Sequence, residues 1–266
     1  MTRAILKNIQ RAIVSPAFLL SVTACFVLLI IDAGLINDIQ YLGTEDFPSS
    51  RTYIEAFHLA MGFGVFPLAI SFFCVIPYTR SFAEEYNSRV TEYMVKRVGY
   101  RAYSLSKIAS VSISGGLALV LGVLIASIAF YIFYGVPNAS LGNNLDETAL
   151  KSIWRNAYLS WNGWPYMIMQ FFQCFLFGAV WSCVGLAVSA FIPNQFVAVA
   201  SPFILYYTLN YITQMIGYAS ISPYHMFVTD FSTASQAVLY YLVQLALFLV
   251  CAFVFHFRTK RLVILQ

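Results

Sequence analysis

The sequence predicts an all-α membrane protein with six transmembrane helices, an N-terminal amphipathic helix and a cytoplasmic helix between spans 2 and 3. Of its 266 residues 60% are hydrophobic and 10% are charged, whereas a soluble domain carries about 25% charged residues. The apolar residues form six continuous runs of roughly 20 residues, each long enough to cross a hydrocarbon core about 30 Å thick. Because the runs do not alternate, a β-barrel is excluded, and residues 1–266 form one transmembrane domain. The runs lie at 17–36, 56–77, 108–134, 166–190, 197–216 and 237–257.

The positions of the basic residues predict how the chain is oriented in the membrane. Twelve of the 15 Lys and Arg residues lie before span 1, between spans 2 and 3, or after span 6. With an even number of spans these three segments share one side, which is cytoplasmic because basic residues concentrate there. We therefore expect a multi-pass protein of the cell membrane with both termini in the cytoplasm, in contact with membrane lipids and not with nucleic acid.

The segment before span 1 has the pattern of a basic amphipathic helix. Isoleucines and basic residues each recur every four positions, and an offset of two residues places the two rows on nearly opposite helix faces. Such a helix is expected to lie in the cytoplasmic interface and to end before Pro16, where the chain turns into the membrane. The two rows are Ile5, Ile9 and Ile13, and Arg3, Lys7 and Arg11.

Two predicted spans carry small residues at helical spacing. Rows of this kind let helix backbones approach closely, since lipid supplies no hydrophobic drive for helices to associate. They predict packing surfaces, either within the chain or against a second copy. The rows are Ser114, Ala118, Gly122 and Ala126 in span 3, and Gly178, Ser182, Gly185 and Ser189 in span 4.

The spans hold few groups suited to catalysis or ion coupling. The chain has no zinc-protease, serine-hydrolase or phosphate-loop motif, and its five cysteines lie in apolar runs without a CxxC pair. Asp32 lies near the outer end of span 1 and Glu55 just outside span 2, so no carboxylate is expected at bilayer depth, where ion-driven carriers usually place one. The sequence therefore predicts neither an enzyme nor a metal site.

Uncharged polar residues do occur within the spans. Gln170 and Gln173 share a face of span 4, Asn210 lies in span 5 and Gln244 lies in span 6. Each alone is explained by an interhelical hydrogen bond, worth about 0.6 kcal/mol on average. As a group we interpret them as the lining of a shared cavity, the substrate path.

The cytoplasmic loop at 78–107, between spans 2 and 3, is the most informative segment. Glu85, Arg89 and Glu92 follow one another at steps of four and three, which predicts one helical face, with Glu85 and Arg89 as an acid-to-base pair of favourable polarity. Gly99 is expected to end this helix, and a second helix then runs into span 3. A charged helical hairpin that projects from a buried chain is typical of a docking surface for another protein. The alternative is a merely solvated connector.

With these residues the chain resembles the ABC-2 type permeases, the transmembrane subunits of one class of ATP-driven exporters. Such permeases typically have an interfacial helix before span 1. Between spans 2 and 3 they have a coupling segment with two acidic residues, an apolar pair, basic residues and a lysine leading into span 3. The family often has glycine within the acidic helix and proline at the following turn, where this chain has Arg89-Val90 and Val98-Gly99. The matching residues are Glu85, Glu92, Tyr93-Met94, Lys96, Arg97, Arg101 and Lys107.

The resemblance implies a permease that pairs with a second permease copy or a homologue and is driven by two separately encoded ABC ATP-binding subunits. ATP and Mg²⁺ would bind those partner chains, which accounts for the missing phosphate loop, and this chain would bind no cofactor itself. The resemblance also implies that the loop transmits movement from the ATPase. The residues assigned to this coupling are Glu84, Glu85, Arg89, Glu92, Arg97 and Arg101.

The resemblance also implies the class of cargo, since permeases of this size without a fused motor often move amphipathic peptides, antimicrobial compounds or lipid-like molecules. The aromatic, uncharged and glutamine-dotted spans suit an amphipathic cargo of this kind. The alternative function is a motor-independent secondary carrier or channel, whose transport would survive loss of ATP. A membrane enzyme would need a polar catalytic cluster, for which the outer loops offer only Asp146, Glu147 and His225.

Overall fold

The computed structural model describes residues 2–35, 52–62, 64–135, 161–218, 222–228 and 234–264, and most of these residues lie in helices. The helices follow the order of the predicted apolar runs. In chain order they are α1 (Thr2–Ile13), α2 (Pro16–Asp32), α3 (Tyr53–Gly62), α4 (Phe66–Phe73), α5 (Ser81–Asn87), α6 (Val90–Val98), α7 (Tyr100–Tyr134), α8 (Trp164–Ser189), α9 (Gln195–Met215), α10 (Pro223–Val228) and α11 (Ala234–Ile264).

Four helices are long and apolar enough to cross a membrane, namely α7, α8, α9 and the segment Ser235–Arg261 of α11. They correspond to predicted spans 3 to 6. The number rises to six if each of two bent helix pairs counts as one span. The described part of the chain is therefore all-helical, with four to six candidate membrane-spanning helices, as expected for a multi-pass membrane protein.

The first bent pair joins α1 to α2 at an angle of 54°. Helix α1 ends at Ile13, as predicted from Pro16, and Ser15 caps the next helix by accepting a hydrogen bond from the Phe18 amide at 3.2 Å. Pro16 then occupies the first turn of α2, where its missing N–H has no helical partner to lose. The residues at the bend thus end one helix and begin the next.

The second bent pair corrects the prediction of a continuous span at 56–77. Helices α3 and α4 meet at 70°, and the break includes Gly64. The Asp32 carboxylate of α2 accepts a hydrogen bond from the Phe66 amide at 2.6 Å, and Pro67 lies in the first turn of α4. A carboxylate at a helix N-terminus stabilises the exposed amides there, so α4 begins anew instead of continuing α3.

The small residues of α7 and α8 bring these two helices into backbone contact. A Cβ atom added at Gly178 would lie 2.7 Å from the Gly115 carbonyl oxygen, and the Ser182 hydroxyl donates to the Val111 carbonyl at 3.2 Å. Gly122 meets Cys25 of α2 in the same way. The predicted small-residue rows are thus confirmed as packing surfaces within the chain.

The two largest buried clusters among the described residues hold most of the helices together. The larger one lies among α2, α3, α4, α7, α8 and α9 and includes the stacked rings of Phe177 and Trp181. The smaller one joins α1, α5, α6, α7, α8 and α11 through residues such as Ala12, Phe82 and Phe255. Because it packs beneath α5 and α6, this smaller cluster positions the loop that the sequence singled out.

Candidate functional site

The predicted single helix in the 78–107 loop is in fact two helices, α5 and α6, separated by Ser88 and Arg89. Arg89 has φ +59°, in the left-handed region, which ends a helix because the next turn cannot continue from it. The Ser88 hydroxyl donates to the Glu84 carbonyl at 2.7 Å and so satisfies one of the last acceptors of α5. The prediction that Glu85 and Arg89 pair on one continuous helical face is therefore wrong. Gly99 ends α6, as predicted.

Glu85 instead points inward and binds a lysine of the long helix α7. Its Oε1 lies 2.7 Å from Lys107 Nζ, and its Oε2 accepts a hydrogen bond from the Tyr103 hydroxyl at 2.7 Å. Lys107 also donates to the Ser81 hydroxyl at 3.1 Å. The Lys107 residue is fully buried, so its charge depends on this carboxylate and these hydroxyls.

An aromatic ring and a second cation complete the surroundings of this ion pair. Lys107 Nζ lies 4.8 Å from the centre of the Tyr78 ring, within the range of a cation–π contact. Burial, and after it the Glu85 charge, raise the pKa of the Tyr78 hydroxyl, while Arg11 of α1 opposes the shift. Tyr78 therefore stays protonated at neutral pH. The Glu85–Lys107 pair joins α5 to α7, and the interaction of Arg11 with Tyr78 places α1 beside it.

Two further contacts fix α5 to other helices. The Phe82 ring packs edge-on against Phe255 of α11, with 5.1 Å between their centres. The Asn87 side-chain amide donates to the carbonyl of Pro193, in the turn between α8 and α9, at 3.0 Å. Together with the Glu85–Lys107 pair, these contacts attach α5 to three parts of the helical bundle.

The remaining residues assigned to coupling lie at the surface or close to it. Glu84 forms an i,i+4 ion pair with Arg80 at 3.2 Å, and both side chains are about half exposed. Arg89, Arg97 and Arg101 are exposed, and Glu92 is half-buried. The structure thus separates the six residues into one inward-facing carboxylate, Glu85, and five that lie at or near the outer surface.

Sequence reasoning missed the partners of Glu85. These partners are Lys107, which the sequence marks only as the lysine leading into span 3, and Tyr103; Ser81 is in turn a partner of Lys107. A signal was present, because a lysine at the edge of an apolar run needs a buried counter-ion. The nearby cytoplasmic acids, Glu84, Glu85 and Glu92, were the available candidates.

The predicted substrate-path glutamines are buried and bonded to tyrosines. Gln170 donates to the Tyr166 hydroxyl at 3.0 Å. Gln173 of α8 and Gln244 of α11 both donate to the Tyr240 hydroxyl, the latter at 3.3 Å. The structure therefore brings Gln173 and Gln244 together around one hydroxyl; the Gln173 bond joins α8 to α11, and the Gln244 bond lies within α11.

Tyr166 extends the Gln170 contact to a second helix, because its hydroxyl is also hydrogen-bonded to His58 of α3 at 2.9 Å. Asn210 does not join either group, since it is half-buried on α9 and accepts a hydrogen bond from Gln214 one turn away at 3.3 Å. The four polar residues predicted to line one path thus occupy three separate places.

Gln244 nevertheless borders a cleft between α7, α8 and α11. The cleft has a volume of about 560 Å³, within the ~300–1,000 Å³ of small-molecule sites. Its walls are apolar apart from a few polar side chains, among them Gln244 and Tyr241. The main apolar residues are Ile113, Phe172, Phe175, Leu176, Leu245 and Phe248.

The candidates for other chemistry fall largely outside the described residues. Asp146 and Glu147 lie outside them, as does the side chain of His225. Within the described part of the chain, no group of three or more His, Cys, Asp and Glu residues is arranged to hold a metal ion.

No protein-family model, curated protein or solved structure shows a significant match to the chain. The function is therefore inferred from the residues and contacts described above.

Proposed function

We propose that the chain is the permease subunit of an ATP-driven ABC exporter, working with a separately encoded ATP-binding subunit. The observation that carries the proposal is the α5–α6 segment, residues 81–98. This segment is attached to the membrane helices on one side and presents charged and aromatic side chains on the other. An ATP-binding subunit can drive a permease only if the permease offers a surface on which it docks and if that surface is firmly attached to the membrane helices.

The outer surface of the segment suits a protein partner. Tyr93 is 75% exposed, and it lies on α6 between the exposed residues Arg89 and Arg97. Tyrosine and arginine are enriched among the residues that dominate binding energy at protein interfaces. An exposed tyrosine flanked in the chain by two exposed arginines therefore supplies an anchor for an ATP-binding subunit.

The inner surface supplies a route for movement. A displacement of α5 acts on α7 through the Glu85–Lys107 pair and on α11 through the contact of Phe82 with Phe255. Both helices border the apolar cleft. Closure of an ATP-binding subunit pair against the segment would thus change the shape of the cleft through packed contacts.

The cleft also supports an amphipathic cargo. Its walls are mainly aromatic and aliphatic, and Gln244 is the amide on its lining. A peptide, antimicrobial compound or lipid-like molecule presents apolar surface with scattered hydrogen-bonding groups, which matches this lining. We propose that a second permease copy or a homologue completes the translocation path, and that ATP and Mg²⁺ bind the partner ATPase.

The first test is purification of the tagged full-length chain from its native host in mild detergent, with co-purifying chains identified by mass spectrometry. The expected result is a near-stoichiometric chain that contains a phosphate-loop motif and hydrolyses ATP. Recovery of the chain alone from several mild detergents would contradict the proposal.

The second test separates the exporter from the alternative, a motor-independent carrier or channel. The co-purified complex is reconstituted in liposomes, and cargo flux is measured with ATP and without an ion gradient, then with an ion gradient and without ATP. An exporter moves cargo only in the first condition. Flux that follows the ion gradient and ignores ATP would establish the alternative.

A further inference from the structure

A second cavity lies between α1 and the α5–α6 segment. Its volume is about 750 Å³. Its lining combines basic and apolar side chains from helices α1 and α6 and the turn after α1. These are Lys7, Arg11, Val14, Val90, Met94 and Arg97.

The described residues that line this cavity carry a net positive charge, with three basic side chains and one acidic one. Among the described residues, neither Lys7 nor Arg97 forms an ion pair. The one acid on the lining, Glu85, already binds Lys107 with one oxygen and the Tyr103 hydroxyl with the other. Lys7, Arg11 and Arg97 therefore line one space whose only acidic lining residue among the described ones, Glu85, is already engaged by Lys107 and Tyr103.

Exposed aliphatic side chains follow the lining residue Val14 along the chain into α2. Val14 is 74% exposed, and Leu19 and Leu20 in the first turns of α2 are each 61% exposed. In a membrane protein, exposed aliphatic side chains of this kind face acyl chains. A ligand that fits both the basic lining and these side chains carries a negative charge at one end and hydrocarbon at the other.

We propose that this cavity binds the phosphate headgroup of an anionic phospholipid from the surrounding leaflet, with its acyl chains along Val14 and α2. Basic pockets at the membrane surface bind anionic headgroups, and the exposed aliphatic side chains select a lipid over free phosphate. The site would make the position of α1 against the α5–α6 segment depend on lipid composition. This inference concerns lipid binding only and does not depend on an ATP-binding partner.

The test is native mass spectrometry of the purified full-length chain with an equimolar mixture of phosphatidylglycerol and phosphatidylcholine carrying identical acyl chains. The wild type is expected to retain phosphatidylglycerol preferentially. The variant Lys7→Gln/Arg97→Gln should lose that preference by roughly fivefold for each charge removed. The matched control Lys96→Gln/Lys260→Gln removes two exposed charges that do not line the cavity, and it should behave as the wild type.

Unchanged preference in the Lys7→Gln/Arg97→Gln variant, or equal loss in the control, would overturn the proposal. Displacement of the bound lipid by an excess of inorganic phosphate would also overturn it, because the cavity would then recognise phosphate alone. If the variant does not fold, crosslinking of a lipid to the wild-type chain tests the proposal instead. A photoactivatable phosphatidylglycerol should crosslink to peptides containing Val14 or Met94, and crosslinks confined to other helices would equally overturn the assignment.

Discussion

Glu85 and Lys107 lie 22 positions apart in the chain, and their side chains form an ion pair of 2.7 Å beneath the α5–α6 segment. The side chain of Lys107 is 1% exposed and that of Glu85 is 16% exposed. Breaking a buried pair by removing one partner leaves the other charge desolvated and alone, which is far costlier than removing both. The two residues are therefore expected to depend on each other for stability.

Replacement of Lys107 by methionine is expected to destabilise the chain by about 3 kcal/mol, near the lower end for a broken buried pair, because Tyr103 still donates to the carboxylate. The double variant Glu85→Gln/Lys107→Met should recover most of this loss. Thermal unfolding of the wild type, both single variants and the double variant in detergent measures the coupling. If the stability loss of the double variant equalled the sum of the two single losses, the ion pair would be contradicted. Lys96→Met, at an exposed position, is the control and should leave stability nearly unchanged.

Because Glu85 supports packing, the docking surface is tested on exposed residues instead. The variant Arg89→Glu/Arg101→Glu reverses two exposed charges outside the lipid cavity. It is expected to weaken binding of the ATP-binding subunit by about tenfold or more, as loss of interface anchors does, without lowering the unfolding temperature. Co-purification yield and ATP-driven flux measure the effect. The control Lys260→Glu, on the exposed end of α11, should retain binding. An equal loss of binding in this control would mean that the net charge of the chain, and not a docking surface at Arg89 and Arg101, determines binding.

The four long helices could be predicted from the sequence, whereas the break between α3 and α4 could not. Apolar runs of about 20 residues have few alternatives to a spanning helix, and α7, α8, α9 and α11 follow the predicted spans. The break depends on Asp32, which bonds the Phe66 amide from 34 positions away. The pattern of apolar residues within 56–77 does not indicate that contact.

The candidate site shows the same division between local and distant effects. The end of α6 follows from Gly99 alone, and this was predicted. Helical spacing predicts Arg89, four residues away, as the partner of Glu85, because a sequence pattern indicates only contacts between residues that are close in the chain. The actual partner, Lys107, comes within reach only when α7 packs against α5.

The contact between Asp32 and Gly64 predicts a non-additive pair of substitutions. A Cβ atom at Gly64 would overlap the Asp32 carboxyl group, so Gly64→Ala should displace the carboxylate from the α4 N-terminus. Asp32→Ala alone should cost about 0.5–2 kcal/mol, as loss of a helix cap does. Since the double variant has no carboxylate left to displace, its loss should be smaller than the sum of the single losses. Unfolding temperatures of the three variants decide this, and additive losses would contradict the contact.

The close approach of α7 and α8 predicts that Gly178→Ala is destabilising despite the higher helix propensity of alanine. The added methyl group would meet the Gly115 carbonyl oxygen at 2.7 Å and the Gly116 Cα atom at 2.9 Å. Both are backbone atoms of α7, which move only if the whole helix shifts, so a cost of about 1–3 kcal/mol is expected. Ala246→Val, at an exposed position of α11, adds bulk without such a contact and should be nearly neutral. Equal thermal stability of the two variants would contradict the described packing.

The left-handed conformation of Arg89 predicts opposite effects for the same change at two positions. Arg89 has φ +59° between α5 and α6, and a residue other than glycine pays roughly 1 kcal/mol or more for that conformation. Arg89→Gly is therefore expected to preserve or raise the thermal stability. Lys96→Gly, within α6 and equally exposed, should lower it by up to about 1 kcal/mol, because glycine weakens a helix. If α5 and α6 formed one continuous helix, both changes would destabilise the chain alike, so unfolding curves of the two variants test the break itself.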